Sequence, residues 1–235
     1  MKCSVVIPCY NEAENVPLIL NRFQEVLADR DDIEVVLVNN GSTDNSHDVL
    51  ETLVPKYTFA RVVNVEVNQG YGYGILKGLE SAKGDFLGWT HADMQTDPND
   101  VLKAWTLIKK EGENANVYLK GLRKGRSIFD LFFTIGMSFF ETLYLRVPLW
   151  DINAQPNMFS RLFYEKWANP PHDFSLDLYA MYMAKKEKVK IVRFPVFFPK
   201  RIHGESKWNT GLGAKCKFIK RTLAFSSKLK NGGIK

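Results

Sequence analysis

The sequence has no uninterrupted apolar run that approaches the roughly 20 residues of a membrane-spanning helix. Its amino terminus, from Met1 to Tyr10, also lacks the long apolar region of a signal peptide. These absences predict a cytoplasmic protein. Cysteine is scarce as well, because Cys3, Cys9 and Cys216 are odd in number and lack the spacing of metal ligands. We therefore expect neither a disulfide framework nor a zinc site, and we assign the three thiols to apolar packing.

Internal repeats, low-complexity segments and convincing linkers are also missing. A content of 45% hydrophobic and 25% charged residues is typical of one globular domain with a sizeable core. Charge is uneven, since residues 185–235 carry a net +13 and residues 1–184 carry −7. A segment with this much positive charge can bind anionic lipid, a phosphorylated acceptor or nucleic acid, although the charge can also serve solubility alone. The basic residues form no known nucleic-acid reading motif, and we predict no nucleic-acid partner.

Short β-branched runs alternate with helical patterns through the first half of the chain, which predicts an α/β fold with a mainly parallel sheet. The predicted strands are Ser4 to Ile7, Ile33 to Val38, Arg61 to Val67, Asp85 to Thr90 and Asn116 to Lys120. The predicted helices lie at about residues 16–27, 49–53, 72–83 and 99–111.

Residues 127–147 are unusually rich in Phe, Leu, Met and Ile, but polar residues interrupt them. These are Asp130, Thr134, Ser138, Glu141 and Arg146. A helix here, which Gly136 could break, is too polar to span a membrane. It fits either a bilayer interface or plain packing on the domain, and the sequence leaves both open.

Polar residues follow the first two predicted strands at the carboxyl edge of the sheet, where open α/β sheets bind their ligands. After the first strand, Tyr10 offers a stacking face for a nucleobase, and Glu12 can accept hydrogen bonds from a base or ribose. After the second strand, Asn39 would face the same pocket. Each has a structural alternative, because Glu12 could simply begin the next helix and Gly41 could simply form a turn.

The fourth predicted strand runs into the segment His91 to Gln95 at the same edge. A departing nucleoside diphosphate carries negative charge, which a divalent metal held by carboxylate and amide oxygens would neutralise. Asp93 is the best candidate ligand. A single Asp after a strand often forms only a cap or a turn, so the argument depends on its coincidence with the other two strand ends.

These three segments, with Asn68-Gln69-Gly70 and the sequence AKGD at 82–85, resemble the nucleotide-sugar half of a family 2 inverting glycosyltransferase. The resemblance covers about residues 3–125 and is nearest to the dolichol-phosphate mannose synthase and polyprenol-phosphate glycosyltransferase branch. It implies the GT-A fold, a Rossmann-like, mainly parallel sheet flanked by helices, here with an amphipathic, basic carboxyl-terminal region. The residues that it assigns to the nucleotide sugar are Pro8, Tyr10, Glu12, Asn39 and Ala92. It also places Asp93 and Gln95 at the metal and the diphosphate, as catalytic residues.

The chain departs from the family pattern in two motifs. Asn39-Asn40 stands where the family usually shows Asp-Asp, and His91-Ala92-Asp93 stands where it shows Asp-x-Asp. Fewer carboxylates weaken a site for a hard cation, but His91 could ligate a borderline metal such as Mn²⁺ or donate a hydrogen bond to a phosphate. The resemblance therefore implies a divalent metal, Mg²⁺ or Mn²⁺, at Asp93 and Gln95, with His91 as a further candidate ligand.

The carboxyl half contains RIHGESKWN, which resembles the Arg-x-x-Gly-x-Ser-Lys element of the same branch. The resemblance implies a catalytic role for Arg201. It also implies that Ser206 and Lys207 grip a phosphate of the acceptor or of the diphosphate, and Arg123 could add positive charge to that pocket.

These features predict inverting transfer of a sugar from a UDP- or GDP-sugar to a polyprenyl phosphate, undecaprenyl or dolichyl, by an enzyme peripheral on the cytoplasmic face of a membrane. One alternative is a hydroxyl acceptor on a glycan, lipid or protein, with Asp173 or Asp177 as general base. Another is a nucleotide-sugar binding protein without turnover. We predict one domain over residues 1–212, divided at about residue 125 into nucleotide-sugar and acceptor halves, and a basic tail over 213–235.

Overall fold

The computed structural model describes residues 1–28, 30–125, 128–199, 202–203 and 212–232. In this part of the chain, seven strands form one sheet in the order β3-β2-β1-β4-β6-β5-β7. The strands are β1 (Cys3–Cys9), β2 (Ile33–Asn40), β3 (Ala60–Val65), β4 (Phe86–Trp89), β5 (Val117–Lys124), β6 (Asn157–Ser160) and β7 (Lys190–Phe197). Among them, β6 alone is antiparallel to its neighbours, β4 and β5.

Helices connect the strands and cover the sheet. In the described chain they are α1 (Asn15–Leu27), α2 (Ser46–Leu53), α3 (Tyr71–Ser81), α4 (Pro98–Glu111), α5 (Ile128–Leu145), α6 (Arg161–Tyr164), α7 (Leu176–Lys186) and α8 (Leu212–Lys230). The start of α4 shows how the sequence sets a boundary. The carboxylate of Asp97 accepts a hydrogen bond from the backbone N–H of Asn99 at 2.9 Å, and Pro98 occupies the first helical position.

The sheet is buried on both faces, which explains why its strands are apolar without strict alternation. In β1, Val5 and Ile7 pack into a core with α1 and α4, whereas Val6 packs into a second core with α3 and α7. The approach of α3 is close. A Cβ atom at Gly78 would lie 2.3 Å from Cγ1 of Val6, so only glycine allows this helix to approach the sheet as it does.

The five predicted strands are present with shifted ends, and the α/β prediction is confirmed. Two strands, β6 and β7, are not among the five that we predicted. The strand β6 is only four residues long and begins and ends with polar residues. The apolar segment at 127–147 forms α5, which continues through Gly136 without a break.

Helix α8 lies within the segment that we interpreted as a basic tail, and it packs against α5. Ser226 of α8 donates a hydrogen bond to Glu141 of α5 at 2.7 Å, and Leu229 is buried. The ammonium group of Lys230 lies 4.1 Å from the ring centre of Tyr144. Among the described residues, no helix combines the length and the apolar character needed to cross a membrane.

Candidate active site

Three strands deliver their carboxyl ends to one edge of the sheet. Cys9 of β1 pairs with Asn39 of β2, and the N–H of Thr90 after β4 donates to the carbonyl of Val6 at 3.1 Å. Because β1 lies between β2 and β4, Tyr10 emerges between the segments that begin at Asn39 and at Thr90. The backbone therefore brings together the strand ends that the sequence singled out.

The loops after β1 and β2 are tied to each other. Asn11, in the left-handed region at φ 58°, accepts a hydrogen bond at Oδ1 from the N–H of Thr43 at 2.8 Å. The N–H of Glu12 donates to Ser46 at 2.8 Å, and the Glu12 carboxylate accepts from Asn15 at 2.6 Å. Glu12 thus takes part in the start of α1, which is the structural role that we weighed for it.

The two adjacent amides after β2 are buried and hold the loops around them. Asn39 accepts from the N–H of Ser42 at 3.3 Å and donates to Asn64 at 3.2 Å. Asn40 donates to the carbonyl of Gly70 at 3.0 Å, which fixes the start of α3. These bonds account for both residues structurally and keep them at the sheet edge.

The segment after β4 forms the charged part of the site. Asp93 is 2% exposed and accepts a hydrogen bond from the N–H of Gln95 at 3.1 Å. His91 Nδ1 lies 3.9 Å from Asp93 Oδ2. The side chain of Gln95 donates to the carbonyl of Pro199 at 2.9 Å, which joins this edge to the segment after β7. Ala92 is buried beneath these groups.

A buried polar network lies next to this edge, and its contacts were not predicted from the sequence. It is centred on Lys120 of β5, whose side chain is fully buried. Lys120 donates to the carbonyl of Ala154 at 2.9 Å and to Asn157 at 2.5 Å, and it lies 3.8 Å from Asp177. Burial lowers the pKa of Lys120 to about 7, although the charge of Asp177 opposes this effect. The signal in the sequence was a lysine directly after the apolar residues Val117 to Leu119.

Asp177 also belongs to this network and is only 2% exposed. Its Oδ1 accepts from Gln155 at 2.9 Å and from Asn157 at 3.0 Å. Asp173, the other acidic residue that we considered as a base, lies in the turn before α7 and accepts a hydrogen bond from the N–H of Ser175 at 2.8 Å. It also lies 3.4 Å from the guanidinium of Arg221 on α8.

Tyr71 connects the buried network to the charged segment. Its hydroxyl lies 3.1 Å from His91 Nε2 and 3.4 Å from Gln155 Nε2. Its ring stacks on Phe174, with ring centres 4.7 Å apart. The sequence alone gave no reason to select Tyr71 or Gln155, because their partners lie far away along the chain.

Arg123 lies at the end of β5, as predicted, but its guanidinium has a carboxylate partner. Asp151 is 3% exposed and accepts hydrogen bonds from both the backbone N–H and the side chain of Arg123. These contacts, opposed by burial, lower the pKa of Asp151. Three other predicted residues, Arg201, Ser206 and Lys207, lie outside the described residues.

A small cavity of about 40 Å³ lies beside Arg123, between α5, α7 and α8. Its lining includes Arg123, Ser138, Asn153, Phe174 and Thr222. In the described part of the chain, no three His, Cys, Asp or Glu side chains come together as a metal site.

The seven-stranded, mostly parallel sheet flanked by helices is the GT-A fold. Residues 4–147, which are more than half of the chain, match the sequence model of glycosyl transferase family 2, and the chain belongs to this family. The family resemblance that we inferred from the motifs is thus confirmed.

The curated relatives include undecaprenyl-phosphate 4-deoxy-4-formamido-L-arabinose transferases. The one from Serratia proteamaculans (strain 568) is 36% identical over 119 residues, which cover 49% of this chain and 35% of the relative. The one from Pseudomonas fluorescens (strain Pf0-1) is 37% identical over 101 residues, which cover 42% of this chain and 29% of the relative. The match thus extends over about a third of each relative's length.

Solved structures of glycosyltransferases share the whole described fold. Glucosyl-3-phosphoglycerate synthase from Mycobacterium tuberculosis, in complex with Mn²⁺, UDP and glucosyl-3-phosphoglycerate, has a TM-score of 0.71 at 17% identity. The match covers 100% of this chain and 81% of that one. A mannosyltransferase from Pyrobaculum calidifontis, in complex with GDP-Man and Mn²⁺, has a TM-score of 0.69 at 18% identity, covering 100% of this chain and 66% of that one.

Proposed function

We propose that this protein transfers a sugar, with inversion, from a nucleotide-diphosphate sugar to a polyprenyl phosphate at a membrane surface. The observation that carries the proposal is the meeting of three polar strand ends at one sheet edge in a family 2 chain. The curated relatives are named for transfer to undecaprenyl phosphate, which supports a lipid phosphate as the acceptor.

The donor would lie along the edge that begins at Tyr10 and ends at Asp93. Pro8, Tyr10, Glu12 and Asn39 would surround the nucleoside, with Ala92 beneath the nucleotide sugar. In the reaction, an acceptor oxygen forms a bond to the anomeric carbon while the bond from that carbon to the diphosphate breaks. The residues near Asp93 therefore have to stabilise negative charge on the departing diphosphate.

The groups present at this edge fit a divalent metal that the diphosphate helps to coordinate. Asp93 offers a carboxylate and Gln95 an amide oxygen, and both donor types suit Mg²⁺ and Mn²⁺. An imidazole ligand from His91, whose Nδ1 lies 3.9 Å from Asp93 Oδ2, would favour Mn²⁺, because Mg²⁺ prefers oxygen ligands alone. Asp93 and Gln95 would hold the metal, which would supply positive charge opposite the leaving group. His91 has two candidate roles, as a metal ligand or as a hydrogen-bond donor to phosphate.

Helix α5 supports a membrane surface as the place of reaction, because it buries polar side chains and exposes apolar ones. Its polar residues Thr134, Ser138 and Glu141 are buried, at 9%, 2% and 0% exposure. Its large apolar residues face outward in a stripe of Leu131, Ile135, Phe139, Phe140 and Leu143. We call these five side chains the α5 stripe. Burial of such a stripe in a bilayer interface removes apolar area from water, and the basic residues of α8 would favour anionic lipid.

The acceptor phosphate would lie near Arg123 and the cavity beside it. Arg201 and Lys207 would add positive charge, and the hydroxyl of Ser206 would donate a hydrogen bond. A phosphate monoester is largely ionised at neutral pH, so its oxygen needs positioning more than a base. The burial of Asp177 and its two amide partners agree with a structural role for this carboxylate. A hydroxyl acceptor would need Asp173 or Asp177 to take a proton instead.

The test is an assay of the full chain with radiolabelled nucleotide sugars and undecaprenyl or dolichyl phosphate in lipid vesicles. The matched negative acceptor is the same polyprenol without its phosphate. We expect lipid-linked product only with the phosphate, and at least a hundredfold loss in Asp93→Asn. The control variant is Asp31→Asn, an exposed residue before β2 at the opposite edge of the sheet. Absence of product across a broad panel of donors, or equal product from the plain polyprenol, would refute the proposal.

A further inference from the structure

A continuous series of hydrogen bonds joins the buried Lys120 to His91 at the sheet edge. It passes through Asn157, Gln155 and Tyr71. Some of these groups can only donate hydrogen, whereas amides and hydroxyls can also accept. A group that can only donate, or only accept, therefore determines which atom of a neighbouring amide faces it.

Asn157 is oriented by two donors. Its Oδ1 lies 2.5 Å from Nζ of Lys120 and 2.5 Å from the hydroxyl of Tyr118. The carboxylate of Asp177 can only accept, so Asn157 must direct Nδ2 toward Asp177 and its carbonyl oxygen toward Lys120. Both hydrogens of Nδ2 are then donated, one to Gln155 Oε1 at 2.7 Å and one to Asp177 Oδ1 at 3.0 Å.

The orientation of Gln155 follows from that of Asn157. Because Gln155 Oε1 accepts a hydrogen, Nε2 is the atom that faces Asp177 and Tyr71. It donates one hydrogen to Asp177 at 2.9 Å, and its second hydrogen is directed to the Tyr71 hydroxyl at 3.4 Å. The Tyr71 oxygen therefore accepts here, and its single hydrogen is donated elsewhere.

His91 Nε2, at 3.1 Å, is the acceptor that receives this hydrogen. Asp177 is the competing acceptor, and a hydrogen-bond contact with its carboxylate contributes to the raised pKa of Tyr71. Its Oδ1, however, already receives two amide hydrogens, whereas His91 Nε2 lies 3.1 Å from the hydroxyl. Burial and the negative charge of Asp177 hold the pKa of Tyr71 well above its ordinary value, so the phenol keeps its hydrogen. A ring nitrogen that accepts a hydrogen bond carries no hydrogen, so the neutral imidazole carries its hydrogen on Nδ1.

We propose that this series of bonds holds His91 in the Nδ1–H tautomer, so that its N–H is on the side of Asp93, where it donates a hydrogen bond to the donor diphosphate and does not ligate a metal. Nδ1 is the nitrogen that faces Asp93, at 3.9 Å from Oδ2. Tyr71 and Gln155 are then positioning residues. The role of His91 toward the diphosphate rests on the proposed function, whereas its tautomer does not.

The tautomer can be measured directly by long-range ¹H–¹⁵N correlation spectra at pH 8, where an ordinary imidazole is neutral. The chain has four histidines, and His91→Asn identifies the signals of His91. We expect the hydrogen on Nδ1 in the wild-type protein. Tyr71→Phe keeps the ring that stacks on Phe174 but removes the hydroxyl, so the Nε2–H form should appear.

The matched control is Tyr73→Phe, because Tyr73 lies in the same helix and contacts a different histidine, His172. It should leave the His91 signals unchanged. An Nε2–H tautomer in the wild-type protein, or an unchanged Nδ1–H signal in Tyr71→Phe, would overturn the proposal.

Binding measurements separate the two roles of His91. We expect His91→Ala to weaken UDP or GDP binding about tenfold in EDTA, because one hydrogen bond to a charged group is lost. The same variant should keep its Mn²⁺ affinity in the presence of excess nucleotide, measured by electron paramagnetic resonance. Loss of Mn²⁺ binding in His91→Ala would make His91 a ligand and refute this inference. Failure of both nucleotides to bind the wild-type protein would refute the proposed function and leave the tautomer result standing.

Discussion

Replacing Glu141 with Gln tests how burial of a carboxyl group affects the contact between α5 and α8. Glu141 is 0% exposed and accepts one hydrogen bond, from Ser226 at 2.7 Å. Its second oxygen, Oε1, has no hydrogen-bond partner among the described residues. Burial raises the pKa of Glu141 to about 7, and the Ser226 hydrogen bond only partly opposes this rise.

The sign of the pH dependence follows from this rise in pKa. Between about pH 4.5 and 7, folded Glu141 holds a proton that the unfolded chain has released. Stability therefore falls as the pH rises through this range. A rise in pKa from 4.5 to about 7 lowers the free energy of unfolding above pH 7 by at most about 3 kcal/mol. Gln carries no charge, so Glu141→Gln should recover much of this cost at pH 8 and little at pH 4.5.

Thermal unfolding of both proteins at pH 8 and at pH 4.5 measures the effect. We expect a Tm gain for Glu141→Gln on the order of 5 °C at pH 8, and almost no gain at pH 4.5. Ser226→Ala is the control, since it removes the hydrogen bond without removing the charge and should lower the Tm at pH 8. An equal change at the two pH values, or a loss of stability at pH 8, would refute the reasoning.

Three further pairs of variants test other parts of the structure. Gly78→Ala should lower the free energy of unfolding, measured in urea, by about 1–3 kcal/mol, because its Cβ would overlap Val6. Gly136→Ala, in open space on α5, should raise the free energy of unfolding by up to about 1 kcal/mol. Lys120→Met should cost about 3–5 kcal/mol because it leaves a buried carboxylate without its cation, and adding Asp177→Asn should cost less than the two single changes combined. Phe139→Asp in the α5 stripe should reduce partitioning to anionic vesicles at least tenfold, whereas the equally exposed Leu162→Asp on α6 should not.

Most of the sheet could be predicted from the sequence, because its strands are short apolar runs bounded by turns. The polar residues after β1, β2 and β4 could be found in the same way, since parallel strands bring their carboxyl ends to one edge. The local sequence pattern fails to predict a strand that does not pair as one of a series of consecutive parallel strands. The strand β6 is an example, because its four residues are buried by β4 and β5 and not by any periodicity of their own.

The buried network could not be predicted for a related reason. Lys120, Gln155 and Asp177 belong to three separate segments, and their contacts exist only once β5, β6 and α7 have packed together. A lysine in a strand normally indicates an exposed edge, so its burial is a property of the tertiary structure. Glu12 shows the opposite limit, since the sequence admitted both a ligand-binding role and a helix-start role, and the hydrogen bonds of Glu12 account for the second.

The position of β6 in the sheet also determines how the chain can fold. This strand lies between β4 and β5, yet it is made after both of them, so neither strand has its full set of partners until residues 157–160 have been synthesised. A fragment ending near residue 125 would expose an unpaired edge of β4 and leave β5 with no neighbour in the sheet. We therefore expect the nucleotide-sugar half to be prone to aggregation when it is produced alone, because these strand edges stay open until β6 is made.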